Sequence, residues 1–376
     1  MHRPIQHNRL NRDLQALRGM AILAVVYYHL VDMVPGLAQH MGFWGTFLHG
    51  AHGVDLFFVI SGYVITRSVY RHIDHTGPVA FSDGLRFWMR RACRTMPPAL
   101  VWLAICLAVA LYTGWNGESG ANRHHALAAA LQYANFYALS CSATNRCGMF
   151  GYYWSLSLEE QFYFLLPVAM LILPRIGLAW VTLLGGLMLT FLYSNAPSLI
   201  GLPFDLMPYL PLRIDGLLLG VAIALFQDGP QAQRVLAWLR QDAGIAVFAA
   251  LLAHTLLWTR GTPLFRAEIG SYLMNGLMAS VLVSIALLEE GYAVISPKLL
   301  NVLGFFGNIS FSLYLSHIII ILTLQNYLGM HWQTAPAAIG YGWYVALLCT
   351  LLIMVAWLSH RWLEVPFMRL ARRISA

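Results

Sequence analysis

Long runs of apolar residues recur along almost the whole of this 376-residue chain, and they constrain its fold more than any other feature. They lie near 14–33, 54–70, 95–114, 153–173, 177–194, 209–226, 243–259, 270–288, 302–328 and 340–358. Each approaches or exceeds the ~17–25 residues that a helix needs to cross a bilayer. Charged residues make up only 10% of the chain, against roughly 25% in a soluble domain. The pattern predicts an all-α integral membrane protein of about ten transmembrane helices, forming a single domain over residues 1–376. The first run carries Arg18 and His29 in its interior and has no small-residue cleavage site, so it reads as a span and not as a signal peptide.

Basic residues set the expected orientation. With ten spans and a cytoplasmic N-terminus, both termini lie inside. Of the 23 Lys and Arg residues, only Arg123, Arg146, Arg213, Arg260 and Arg266 then fall outside. That asymmetry satisfies the positive-inside rule. It also accounts for most of the net charge of +7 without invoking nucleic acid. Segment 115–152 becomes the longest extracytoplasmic loop, and within it Cys141 and Cys147 could close a small disulfide ring in an oxidising compartment. His40, His49 and His52 lack a carboxylate at ligand spacing, so no metal site is expected. Only about 18 residues follow the last run, so an appended catalytic domain is not expected and any chemistry falls to the membrane bundle.

Charged residues inside apolar helices are costly and call for a reason. Arg18 and His29 are eleven residues apart, which places them on nearly the same helix face, roughly 16 Å apart along the axis. Two readings fit them: one face of a buried polar path, or a snorkelling interfacial Arg with a packing His. Asp55 and Arg67 mark the two ends of the second run, with Ser61-Gly62 between them. Before the third run, Arg86, Arg90 and Arg94 form one stripe with Arg91 beside it, either a lipid-facing basic helix or a phosphate-binding rim. At the fourth run, Ser157 and Glu160 fit a capping box, which leaves Glu159 or Glu160 free to face inward. Arg213 and Asp215 could pair locally, and His317 enters the ninth run among Ser310, Ser312, Tyr314 and Ser316.

These segments, in this order, resemble the acyltransferase-3 family of membrane O-acyltransferases. Arg18 and His29 fit its Arg-x10-His signature, GVDLFFVISGYVITR its second-span motif, and FWMRRACRTMPP its Arg-Arg-x-x-Arg motif. WSLSLEEQFYFLLP, RIDGLLLG and GNISFSLYLSH fit as well, so the resemblance runs over roughly residues 10–366. The chain departs from the family where Tyr152-Tyr153 replaces a His, and where Glu364-Val365-Pro366 replaces Glu-Arg-Pro. The esterase-like domain that some relatives carry is not expected here.

The resemblance implies transfer of an acetyl group from cytoplasmic acetyl-CoA, a co-substrate, to a sugar hydroxyl. The implied acceptor is a bacterial surface polysaccharide, such as an exopolysaccharide or O-antigen, or its lipid-linked precursor. The implied location is the bacterial cytoplasmic (inner) membrane, with the lipid bilayer as surroundings. A hydroxyl needs a general base, and His29 is the candidate, with Glu159 or Glu160 orienting it or binding the acceptor. Arg18, Arg67, Arg90, Arg91 and Arg94 lie at the expected cytoplasmic end, where the nucleotide phosphates would dock. Asp55, Arg213, Asp215 and His317 are the candidate acceptor-binding residues. A proton-coupled transporter is the alternative, since intramembrane Arg, Asp, Glu and His also suit a proton relay. A transporter typically shows an internal repeat, and none is evident.

Overall fold

The computed structural model describes residues 12–42, 44–45, 50–70, 80–114, 118–142, 147–201, 209–230, 234, 296–331 and 335–373. Among them every regular element is helical. The principal helices are α1 (Arg12–Met33), α2 (Gly53–Tyr70), α3 (Phe81–Thr113), α4 (Ser119–Ala130), α5 (Ala134–Ser142) and α6 (Tyr153–Ile172). They continue with α7 (Arg175–Ile200), α8 (Asp215–Phe226), α9 (Pro297–His331), α10 (Tyr341–Ser359) and α11 (Val365–Arg373), the last two joined by a π-helical turn, His360–Glu364.

Six described segments are long and apolar enough to cross a membrane: Arg12–Met33, Phe81–Thr113, Tyr153–Ile172, Arg175–Leu192, Pro297–Gly329 and Tyr341–Ala371. The expected spans at 243–259 and 270–288 lie outside the described residues. Helix α8 has 12 residues, which gives it only ~18 Å of length. The basic segment before the third run is not a separate element. It is the first half of the 33-residue α3, which continues through Pro97 and Pro98. Neighbouring helices support such interruptions inside a bundle.

Small residues let the helices meet at backbone distance. Gly19 of α1 faces the Leu303 carbonyl of α9, and Gly307 of α9 faces the Gln15 carbonyl of α1. A Cβ at either position would strike that carbonyl, so the parallel helices α1 and α9 meet this closely only because both positions are glycine. Gly62 and Gly220 do the same for α2 against α8. The apolar core has three parts. One joins α2, α6, α7 and α8 through Phe58, Leu166 and Val221. Another joins α1, α9 and α10 through Ile22, Ile309 and Leu348. The third joins α3, α4, α6 and α9 through Trp102, Ala126, Tyr153 and Ile318.

The segment expected as a long loop, 115–152, folds back as a hairpin of α4 and α5. Gln132 at its tip donates from Nε2 to Met96 Sδ at 3.5 Å. Met96 lies 17 residues before the end of α3 at Thr113, so the tip reaches ~25 Å back along that helix. Gln161 of α6 clasps the tip, donating to Gln132 O at 2.7 Å and Asn135 Oδ1 at 2.9 Å. The capping-box reading of Ser157 is corrected here. Helix α6 begins at Tyr153, so Ser157 lies beyond its first turn, and its Oγ accepts from Ala134 N at 3.2 Å. It therefore satisfies the first turn of α5 and not its own helix. Cys141 and Cys147 form a disulfide with their Cα atoms 5.0 Å apart.

His125 anchors the return of this hairpin through Nδ1, 3.0 Å from Gly148 O. Burial pushes its pKa from 6.5 down to about 4. The unfolded chain thus binds a proton between pH 6.5 and about 4 that the folded hairpin refuses, and stability falls as pH drops through that window. Hydrogen exchange of residues 118–150 is expected to show lower protection factors at pH 5 than at pH 7.5. His125→Gln should remove most of that difference, and an unchanged pH response in the variant would contradict the assignment.

Candidate active site

Where α1, α2, α3, α6 and α9 converge, they leave a cavity of about 110 Å³. Its polar lining includes Arg18, Arg91, Arg94, Thr95, Glu159 and Ser310. Arg91 and Arg94 share a face because residues three apart on a helix are neighbours. Arg91 Nη2 lies 3.9 Å from Glu159 Oε2, and its Nε lies 3.7 Å from Glu160 Oε1. Its guanidinium carbon stands 4.1 Å from the centre of the Tyr163 ring, a cation–π contact that supports a desolvated charge. Thr95 Oγ1 donates to Glu160 Oε1 at 2.9 Å, and Tyr163 Oη donates to Ser61 Oγ at 3.0 Å. Arg18 Nη2 donates to Ser310 Oγ at 3.1 Å, across the parallel pair α1 and α9.

A polar ladder continues from this arginine end along α9. Ser155 Oγ and Tyr314 Oη lie 2.6 Å apart, and Tyr314 Oη also donates to Tyr152 O at 2.6 Å. One turn further on, His317 Nδ1 is 2.7 Å from Tyr314 O. The His317 ring lies 5.1 Å from the His29 ring, centre to centre. The two helices thus carry Arg18 and Ser310 at one level and His29 and His317 at another. Helix α1 turns Arg18 and His29 toward α9, whose Ser310 and His317 lie against them.

The remaining candidates divide between other places. Glu159 and Glu160 sit with Arg91 at the arginine end, not against His29. Asp55 pairs with Arg213 of the 3₁₀ turn Pro211–Ile214 and with His52 Nδ1 at 3.3 Å. Trp154 faces the same guanidinium, 6.0 Å from its ring centre. Asp215 accepts from Thr190 Oγ1 at 2.9 Å. Arg67 is held 3.3 Å from Asp228, which also meets Arg175 at 3.4 Å. Arg90 donates to Arg86 O at 3.3 Å on the exposed side of α3. The cavity therefore gathers Arg18, Arg91, Arg94 and Glu159 from the predicted set, and Asp55, Arg67, Arg90, Arg213 and Asp215 are placed elsewhere.

Several site residues escape the sequence reading. Tyr163 follows Glu159 by one helical turn, and that spacing is the signal that could have found it. Glu364 is the more telling omission. The π-helical turn carries it inward, and π-helical turns occur often at functional sites. There it accepts from Ser312 Oγ at 3.1 Å and from His360 Nδ1 at 2.9 Å. Ser359 donates to Ser312 at 3.2 Å and Trp102 to Ser359 at 2.8 Å, which completes a buried chain of hydrogen bonds. Among the described residues no cluster of His, Cys, Asp and Glu could hold a metal ion.

Comparison with known proteins meets this geometry. The sequence model of the acyltransferase-3 family, described as an acyltransferase domain, matches residues 11–361. The chain belongs to that family. It is 27% identical over 374 residues to a Staphylococcus aureus (strain COL) protein provisionally named an O-acetyltransferase, covering 94% of this chain and 56% of that protein. The match to its counterpart in strain MRSA252 has the same identity and coverage. The O-acetyltransferase OatA of S. aureus (strain NCTC 8325 / PS 47) is 33% identical over 160 residues, which is 41% of this chain and 24% of OatA. The chain thus spans about half the length of the first of these relatives. No solved structure matches it at comparable significance. Within this family member, the predicted Arg-x10-His and Arg-Arg-x-x-Arg residues Arg18, Arg91 and Arg94 meet around one cavity.

The Asp55–Arg213 pair is buried on both sides, so removing one partner strands a charge, at a cost of about 3–5 kcal/mol. Asp55→Ala is expected to lower the thermal midpoint in detergent sharply. The double variant Asp55→Leu/Arg213→Met should recover most of the loss. Equal losses in the single and double variants would show that the pair matters for some reason other than charge compensation.

Proposed function

We propose that this chain is a multi-pass O-acetyltransferase of a bacterial cytoplasmic (inner) membrane, with both termini cytoplasmic. It transfers acetyl from cytoplasmic acetyl-CoA to a sugar hydroxyl of a surface polysaccharide, an exopolysaccharide or O-antigen, or of its lipid-linked precursor. The observation that carries the reading is the convergence of Arg18, Arg91 and Arg94 on one cavity at the foot of a polar ladder that ends at His29. Arg91 Nε is buried there with no hydrogen-bond partner among the described residues. Such a donor suits an incoming anionic or carbonyl oxygen.

Size constrains how the donor would bind. Sites for drug-sized ligands run to roughly 300–1,000 Å³, and this cavity is about 110 Å³. A nucleotide does not fit such a space, so only the acyl-bearing end of the donor would enter it. The phosphates would therefore stay at the arginine mouth, near Arg91 and Arg94. The thioester would reach past Tyr314 toward His29. There the acceptor hydroxyl gives its proton to the imidazole as its oxygen attacks the thioester carbonyl. The new C–O bond forms, the C–S bond breaks, and the thiolate takes the proton back from the imidazolium. General base assistance of this kind contributes ~10²–10⁴-fold in rate.

Purified protein is expected to bind acetyl-CoA and hydrolyse it slowly in the absence of acceptor. His29→Ala should keep the affinity and lose turnover by at least ~10²-fold. Arg18→Ala should weaken binding. Folded wild-type protein that binds no acetyl-CoA would sink the reading and bring the transporter alternative forward.

A further inference from the structure

We propose that His317 is the second imidazole of the reacting centre, holding a free ring nitrogen beside His29 so that the two rings share the proton taken from the acceptor hydroxyl. The proposal rests on the reading of His29 as the base and adds a partner to it.

The geometry fixes the tautomer of His317. Its Nδ1 is 2.7 Å from Tyr314 O, and a carbonyl oxygen only accepts, so Nδ1 carries the hydrogen. Nε2 therefore presents a lone pair. It is buried and makes no hydrogen bond among the described residues, and His317 itself is fully buried. Unpaired buried polar atoms are rare. His125 Nε2 is another, but there the neighbouring rings are Tyr137 and Phe150, whereas beside His317 stands a second imidazole. His317 is oriented by one nitrogen and unengaged at the other, with the His29 ring 5.1 Å away at a tilt of 44°.

The surroundings leave the role open to His317. The Tyr152 and Tyr314 rings lie 5.8 and 5.6 Å from it. Both hydroxyls are engaged with backbone carbonyls: Tyr152 Oη with Leu315 O at 3.4 Å, and Tyr314 Oη with Tyr152 O at 2.6 Å. The Tyr28 ring meets His29 edge-on, 5.0 Å away centre to centre. Asp32, one turn on along α1, is exposed, and its charge acts on His29 from the surface. A catalytic imidazole is commonly oriented by a carboxylate, but Glu159 and Glu160 are held by Arg91. In a poorly solvated site a lone imidazolium is unfavourable. An N–H···N bond to a second neutral imidazole spreads that charge. The transfer balances: the proton leaves the acceptor oxygen for His29, is shared with His317 Nε2, and ends on the departing thiolate.

The test uses the full chain in detergent with acetyl-CoA as the probe. His317→Gln is expected to bind acetyl-CoA within about twofold of wild type and to turn it over ~10²-fold more slowly. The acidic limb expected of the wild-type pH–rate profile should move to lower pH in the variant, because the His29 imidazolium loses the partner that stabilises it. Added imidazole should partly restore turnover in His317→Ala. Wild-type turnover in His317→Gln, or a slowed rate with an unchanged pH profile, overturns the proposal and leaves His29 as base intact. If the variants do not fold, ¹⁵N-histidine spectra of wild type decide, since a protonated Nε2 on His317 in the resting protein contradicts the assignment. Failure of wild type itself to bind acetyl-CoA refutes the underlying reading instead, so the two failures are distinguishable.

Discussion

Three half-buried guanidinium groups inside an apolar bundle impose most of what this protein has to be. Arg18, Arg91 and Arg94 stay charged, and each is only partly exposed where it lines the cavity. Such charges need oxygen atoms or an aromatic face close by, and neighbouring helices supply them to Arg18 and Arg91. Helix α6 brings Glu159, Glu160 and the Tyr163 ring against Arg91. Helix α9 brings Ser310 to Arg18. Removing one counter-charge from such a set leaves an uncompensated cation, and that penalty is far larger than the net value of the pair itself. The register of α3 against α6 is thus under electrostatic as well as steric control.

Close helix crossings make the site possible. Gly19 and Gly307 let α1 and α9 run parallel at backbone contact, which aligns Arg18 with Ser310 and, further along, His29 with His317. Gly62 and Gly220 lock α2 to α8, so Ser61 and Phe58 form a fixed wall of the cavity. A polar ladder of Ser155, Tyr314 and the Tyr152 carbonyl connects the arginine end to the imidazoles. That separation suits a reaction whose donor is anionic at one end and reactive at the other. In the proposed reaction, binding energy gathered at the arginines would position the thioester near the imidazoles.

Much of this was legible in the chain, for physical reasons. Period and spacing placed Arg18 and His29 on one face, because a single helix fixes that relation by itself. Apolar runs located eight of the described helical regions, although α8 proved short and the third run proved to be the second half of a longer helix. What depended on contacts between helices was not legible. Whether Arg90 or Arg91 faces inward turns on where Tyr163 sits, and nothing within α3 records that. Glu364 points inward because a π-helical turn rotates it, a local deviation with no reliable signal in the sequence. Ser157 caps α5 across the bundle, so its apparent capping box was a coincidence of spacing. The fold-back of α4 and α5 hid for the same reason: its polar residues find their partners on α3 and α6.

The most direct test of the polar path is a structure of the protein in a lipid nanodisc with a non-hydrolysable acetyl-CoA analogue. Density is expected to start at Arg91 and Arg94, pass between α1, α3 and α9 beside Tyr314, and end within hydrogen-bonding reach of His29. A ligand bound away from the three arginines, or an acyl end that never approaches His29, would contradict the assignment of this cavity as the active site.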